Sequence, residues 1–223
     1  MLNVVLVEPQ ISGNLGAIAR VMKNFGVVSL YLVNPKCEID QECKNRAKHA
    51  QDVLENCHIV DSIPKMDVLI GTSGQLGGEY NLSRLPVTCD EVAISLNYNA
   101  NIGVVFGRED AGLSNDELEA CDFLVTVGTS KEYPIMNLSH AVGVVLYEVT
   151  KPVLKGGITD DRVAMSVAEK EQLFLMIDEA LEKMQFQTED KKDTQRKVLQ
   201  RLVTKSFMSK REANSLMGFF GKI

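Results

Sequence analysis

IGVVFGREDAGLSNDE, residues 102–117, decides the fold class. Ile102–Phe106 is an unbroken apolar run without alternation, which is how a strand buried on both faces reads. Ser114-Asn-Asp-Glu117 is a capping box, so a helix begins directly after the loop. Between them stand Gly107, Arg108, Glu109, Asp110, Ala111 and Gly112, a longer loop than most strand-to-helix turns. Glycines and charges at the carboxyl end of such a strand lie where open α/β sheets bind ligands. A plain turn with Gly112 as its turn glycine is the other reading of the same residues.

The same alternation recurs outward from this segment. Leu2–Val7 closed by Pro9, Val27–Val33 stopped by Asn34-Pro35, Asp67–Gly71 and Phe123–Val127 read as further strands. Gly13–Phe25 has helical spacing through Leu15, Ile18, Ala19 and Met22 and ends at Gly26, a helix stop signal. Residues 38–57 read as a helix, Thr88–Glu91 is a capping box opening one through Tyr98, and Asn137–Val149 is a strongly apolar one. The fold class is α/β, a parallel sheet with helices on both faces.

After Thr150 the texture changes. Lys151–Arg162, with Pro152, Gly156 and Gly157, reads as a linker. Helices are predicted from Ser166, capped by Glu169, to about Met184, over 190–207, and over 209–217 with a Ser209/Glu212 capping box. Leu173, Ile177, Leu181 and Met184, and Val198, Leu199, Leu202 and Val203, form the apolar stripes of two packed helices. The expected organisation is a sheet domain over 1–150, a linker over 151–165 and a small helical extension over 166–223.

The chain has 223 residues and a net charge of −6, which by itself argues against a nucleic-acid partner. Resolved along the sequence the charge divides. Residues 191–223 hold nine basic and two acidic residues, a net +7, and the other 190 hold 15 basic and 28 acidic, a net −13. Such asymmetry fits a polyanion partner and equally a solvated helix face. No apolar run approaches the ~20 residues of a membrane span, and the opening MLNVVLVEPQ enters a strand pattern without an export signal. Five cysteines, odd in number and without a CxxC, suit a reducing cytosol and argue against a zinc site, so no metal is expected.

Two further segments carry chemistry. Asn14-Leu-Gly-Ala-Ile-Ala-Arg20 opens the first helix, where glycine permits close approach and helix N-termini attract phosphate. It is neither a dinucleotide fingerprint nor a P-loop. Tyr133-Pro-Ile-Met-Asn-Leu-Ser-His-Ala141 puts Asn137 and Ser139 at the start of the apolar helix, where capping accounts for either one taken alone. His140 reads as a packed or surface histidine.

In this order and spacing, NLGAIAR, FGREDAGL and MNLSHA resemble the three motifs of SPOUT-class RNA 2′-O-methyltransferases of the TrmH group, and most closely the tRNA-modifying TrmJ type. The resemblance covers about residues 1–150, with a looser likeness in the C-terminal helices. It implies a deep trefoil knot in the C-terminal part of the sheet domain, a homodimer, a cytoplasmic location, S-adenosyl-L-methionine as cofactor and tRNA as partner. The implied reaction is 2′-O-methylation of a ribose, at nucleotide 32 of the anticodon loop. Ribosomal RNA as substrate and a non-catalytic RNA-binding protein are the alternatives. Carried over by position, the catalytic residues are Arg20, Glu109, Asn137 and Ser139, and the cofactor contacts are Thr72, Ser73, Gly74, Gly107, Glu109, Val127, Leu138 and Ser139. Asn14 and Arg20 would bind the target nucleotide, and Lys192, Arg196, Arg201 and Lys205 the tRNA backbone. A guanidinium is a poor base, so Arg20 is read as binding the phosphate and stabilising the developing alkoxide, oriented by Glu109 of the same chain or of the partner subunit. Two positions depart from the pattern: Ile135-Met136 replaces Ser-Leu ahead of Asn137, and Gln75 stands where many relatives carry arginine.

Overall fold

The computed structural model describes residues 1–74, 87–96, 99–130, 132–154, 164–206 and 208–223. Its strands are β1 (Leu2–Val7), β2 (Ser29–Val33), β3 (His58–Val60), β4 (Val68–Thr72), β5 (Val87–Thr88), β6 (Ile102–Phe106) and β7 (Phe123–Thr126). All pair in parallel, in the order β3-β2-β1-β6-β4-β7-β5. The unalternated apolar runs are explained by this arrangement, because both faces of the central strands are covered. Val4, Leu6, Leu32, Ile70, Val104 and Phe106 face one core, and Val5, Val7, Val33, Leu69 and Val105 the other.

The first core is closed by α1 (Ser12–Asn24), α4 (Cys89–Ser95) and α6 (Leu138–Leu154), with α2 (Gln41–Ala47) and α3 (Gln51–Glu55) outside α1. A Cβ on Gly16 would lie 2.1 Å from the Cys43 carbonyl oxygen, so this glycine sets how closely α1 and α2 cross. The second core is thinner, covered by Ile63 and Met66 and by Leu113 and Cys121 at the two ends of α5 (Asn115–Glu119). All four capping boxes form, at Thr88, Ser114, Ser166 and Ser209.

Three local expectations need correction. The single helix over 38–57 is broken: Lys48 has φ +54, a left-handed backbone that ends α2 before a short 3₁₀ turn and α3. The helix opened by Thr88 stops at Ser95, and Tyr98 lies outside the described residues. Lys151 and Pro152, read as linker, belong to the last turn of α6, where proline forfeits one backbone bond without ending the helix. Most of the remaining linker, 155–163, lies outside the described residues.

The extension consists of α7 (Val167–Lys183), α8 (Glu189–Lys205) and α9 (Lys210–Phe220) around Met165, Leu173, Ile177, Leu181, Val203 and Ala213. Leu202 and Met184, expected inside, are 60% and 43% exposed. Leu202 lies one step off the Leu199/Val203 stripe, and Met184 is already past the last helical residue. Lys170 seats the extension on the sheet. Its Nζ donates to both oxygens of Asp122, at 2.8 and 2.9 Å, and to the Asp67 carbonyl at 3.1 Å. Asp122 also accepts the Leu69 N–H at 2.8 Å, so the pair anchors the amino ends of β4 and β7.

Lys210 bridges α9 to Glu169 at 2.8 Å and, with the Ser166 cap, holds the Glu169 carboxyl down at about 2 against an ordinary 4.5. A lowered folded value stabilises above about 4.5 and is lost as pH falls toward 2. Helix circular dichroism on acidification is expected to show less loss of stability for Glu169→Gln than for the wild type between pH 5 and 2. Parallel acid profiles would contradict this.

Candidate active site

The carboxyl ends of β4, β6 and β7 surround a cavity of about 370 Å³, within the range of small-molecule sites. Leu118, Leu124, Val125, Leu138 and Val145 supply apolar walls, and Thr72–Gly74 and Phe106–Leu113 supply backbone edges. Thr72 Oγ1 donates to the Val105 carbonyl at 3.0 Å and Ser73 N to the Val125 carbonyl at 2.9 Å. Thr129 Oγ1 donates to the Pro134 carbonyl at 2.9 Å, closing the loop that contributes Thr129, Pro134, Ile135 and Met136.

The wall from Gly107 to Gly112 is a tight antiparallel turn. Arg108 and Gly112 exchange backbone bonds of 3.1 and 3.0 Å, and Gly112 has φ +68. Gly112 is therefore a turn glycine, and the turn it makes is one side of the cavity. The Arg108 guanidinium reaches Glu8 at 2.6 Å, Glu117 at 2.9 and 3.0 Å, and the Gly112 carbonyl at 3.2 Å. Arg108 holds the Glu117 carboxyl below the usual range despite burial, and holds Glu8 down together with Lys36, 3.1 Å away. Glu8 itself sits at φ +46, a left-handed conformation that non-glycine residues adopt at a cost.

Glu109 then joins the turn to α1. Ile11, the N-cap residue of α1, offers no side-chain cap. The Glu109 carboxylate replaces it, accepting the N–H groups of Gln10 at 2.9 Å and Ile11 at 3.2 Å and the Asn14 amide at 3.2 Å. A carboxylate there also complements the helix dipole. Asn14 accepts from Asn137 Nδ2 at 3.1 Å, and Asn137 Oδ1 accepts the Ser139 N–H at 2.9 Å and its hydroxyl at 2.7 Å. Asn137 thus caps α6 and ties it to α1 at once. The three sequence segments meet in one hydrogen-bonded chain, Glu109–Asn14–Asn137–Ser139.

Of the residues expected around a cofactor, Thr72, Ser73, Gly74, Gly107, Glu109, Val127 and Leu138 line the cavity, and so do Ile135 and Met136. Ser139 does not line it; its hydroxyl is turned to Asn137. Gln75 lies outside the described residues. Arg20 is exposed on α1 and bonds to no described residue, so the expected Glu109–Arg20 pairing is not made within the chain.

In the extension, Lys192 pairs with Glu182 at 3.0 Å and Glu189 at 2.8 Å, and Arg196 with Asp178 at 2.8 Å, with Glu182 and with Asp193. Arg201 and Lys205 are half-buried and their acidity is raised by desolvation, with Arg201 and Glu91 also acting on Lys205. Lys197, Arg211 and Lys222 are exposed and make no ion pair among the described residues. Sequence reading missed Glu8, Arg108 and Glu117. The signal was a charged residue at each end of an otherwise apolar strand-turn pair.

Among the described residues no helix is long and apolar enough to cross a membrane, and no group of His, Cys, Asp or Glu is placed to hold a metal. Across 226 residues the chain is 43% identical to tRNA (cytidine-2′-O-)-methyltransferase TrmJ of Methanocaldococcus jannaschii, covering 99% of this chain and 98% of that protein. It is 31% identical to tRNA (cytidine/uridine-2′-O-)-methyltransferase TrmJ of Escherichia coli K12, covering 100% and 94%. The crystal structure of TrmJ from Z. mobilis ZM4 superposes with a TM-score of 0.69 at 25% identity, covering 100% and 98%. Residues 1–147 match the SpoU rRNA Methylase family. That span contains the sheet, the cavity and every member of the hydrogen-bonded chain, and the protein belongs to the SpoU rRNA Methylase family.

Proposed function

We propose that this chain transfers a methyl group from S-adenosyl-L-methionine to a ribose 2′-hydroxyl of tRNA, at nucleotide 32 of the anticodon loop. The observation that carries the reading is the Glu109–Asn14–Asn137–Ser139 chain at the rim of the cavity. Full-length similarity to proteins named as tRNA 2′-O-methyltransferases supports the same class of substrate.

The lining suits the cofactor. Leu118, Leu124, Leu138 and Val145 would pack on an adenine ring, and the backbone of 106–112 and 134–138 would offer it polar edges. Of the charged lining residues, Arg108 is bonded to Glu8 and Glu117, and Glu109 to the start of α1. When bound, the cofactor supplies an electrophilic methyl on a sulfonium. The chain's own residues do the rest. Asn14 and Asn137 fix α1 against α6, and so fix where Arg20 stands relative to the cavity. Arg20, whose guanidinium bonds to no described residue, binds the target phosphate and stabilises charge as the ribose hydroxyl loses its proton to phosphate or water.

The tRNA backbone is met by the extension. Because Lys192 and Arg196 are neutralised against α7, the exposed Lys197, Arg211 and Lys222 make the stronger phosphate contacts, with Arg201 and Lys205 following Lys197 at successive turns of α8. The protein acts in the cytoplasm as a homodimer, and Val28, Tyr147 and Val153 are exposed apolar side chains available to a second copy. A sheet domain closed by α6, whose last turn takes in Lys151–Leu154, and a helical extension over 166–223 are kept as two units, and the separate apolar cluster of the extension supports the division. The deep trefoil knot is kept as part of the reading, and the parallel order β3-β2-β1-β6-β4-β7-β5 is compatible with it.

Labelled S-adenosyl-L-methionine with total tRNA and with ribosomal RNA, followed by mapping of 2′-O-methyl ribose, tests the reading. Label is expected in tRNA at nucleotide 32. Label confined to ribosomal RNA, or in neither RNA, would overturn it.

A further inference from the structure

Arg108 lines the cavity, and every bond its guanidinium makes is internal. One edge reaches Glu8 at the end of β1, and the fork grips Glu117, the capping-box residue of α5. With its donors so used, Arg108 is not placed to recognise a ligand. It is instead the link between three pieces of chain that must stay in register: the cofactor wall, the end of β1 leading into α1, and the start of α5. The next residue, Glu109, is the one that caps α1 and reaches Asn14.

We propose that Arg108 is a positioning residue for methyl transfer: bridging Glu8 and Glu117, it fixes the turn 107–112 so that Glu109 holds the start of α1. The inference rests on the methyl-transfer reading above. A planar fork is required, because two parallel bonds to Glu117 set an orientation that a point charge does not. Glu8 adopts its left-handed backbone where it meets both Arg108 and Lys36, as expected of a strained residue held in place by its surroundings. Releasing the bridge lets the wall and α1 shift relative to one another, and a displacement of about 1 Å at a reacting centre costs on the order of 100-fold in rate.

The test compares Arg108→Gln, Arg108→Lys and Glu8→Gln with the wild type in tRNA methylation, cofactor binding, tRNA binding and amide hydrogen exchange. Arg108→Gln is expected to lower kcat about 100-fold and to raise KM for S-adenosyl-L-methionine. Its tRNA affinity is expected to stay within about twofold, since exposed cations of the extension supply that term. Arg108→Lys should recover little, and Glu8→Gln should show the same split in weaker form. Exchange at the Gln10 and Ile11 amides should quicken in Arg108→Gln while β1 and β6 stay protected. That readout needs no activity, so it separates failure of this inference from failure of the methyl-transfer reading. Unchanged kcat and KM together with unchanged exchange at Gln10 and Ile11 would overturn the proposal. So would a loss of activity matched by equal loss of protection throughout the sheet, which marks a merely structural role.

Discussion

Gly107→Ala is expected to weaken cofactor binding severely while leaving a folded protein. A Cβ at this position would lie 2.1 Å from the Gly112 carbonyl carbon, 2.2 Å from the Leu113 nitrogen and 2.4 Å from the Gly112 oxygen. All three are backbone atoms, so no flexible side chain can move aside. The only relief is to open the paired bonds between Arg108 and Gly112, which are the turn itself. Overpacking of this kind costs about 1–3 kcal/mol, which for a chain of this size lowers Tm by a few degrees to about 10 °C. The functional cost is larger, because the displaced segment is one wall of the cavity. Affinity for S-adenosyl-L-methionine by calorimetry should fall at least about 100-fold, equivalent to about 2.7 kcal/mol. Two other glycines calibrate the result. Gly112 has φ +68 and open space around its missing Cβ, so alanine there meets backbone strain of about 1–2 kcal/mol and no clash. Gly128 has open space and no special backbone, so alanine there should change neither Tm nor affinity. Wild-type cofactor affinity in Gly107→Ala would refute the assignment of this turn as a cofactor wall.

The sheet and its caps were legible because they are local. Each capping box is a four-residue pattern whose two bonds form within the pattern, at Ser114–Glu117 as at Ser209–Glu212. The break at Lys48 was not legible, since nothing in residues 38–57 except one left-handed backbone distinguishes a long helix from three short pieces. In the site, Asn14, Glu109 and Asn137 were found by motif resemblance, and their joining into one chain required the fold. The Glu8–Arg108 bridge spans 100 residues of sequence. It exists because β1 and β6 are neighbours, with Leu6 paired to Phe106, a fact no periodicity supplies. Charge was half legible. The +7 of residues 191–223 is real, but Asp178 and Glu182, one turn apart on α7, meet Arg196 and Lys192, one turn apart on α8. Matching acidic and basic pairs at helical spacing on adjacent helices was the available sign that part of the tail's charge is spent internally.

Arg20→Ala is expected to separate activity from every other property of the protein. Arg20 is exposed on α1 and bonded to no described residue, whereas Asn14, Gly16 and Ala19 of the same helix are buried. Its removal therefore leaves no described partner unpaired and no cavity, and stability should change by no more than about 0.5 kcal/mol, as for surface substitutions generally. Affinity for tRNA should fall only slightly, because one phosphate contact among many is lost. The rate behaves differently. A donor aimed at charge that develops only in the transition state contributes to kcat, and losing one costs about 10²–10³-fold. Single-turnover methylation with saturating cofactor and tRNA should thus be slowed at least about 100-fold, with Tm unchanged. Arg20→Lys distinguishes what the guanidinium supplies. A lysine keeps the charge and loses the fork, so partial recovery points to charge stabilisation and none to two-point binding of phosphate and hydroxyl. If Arg20→Ala instead methylated tRNA at the wild-type rate, α1 offers no other free cation, since Lys23 is held by Asp52, and the proton and phosphate handling assigned to this helix would have to be abandoned.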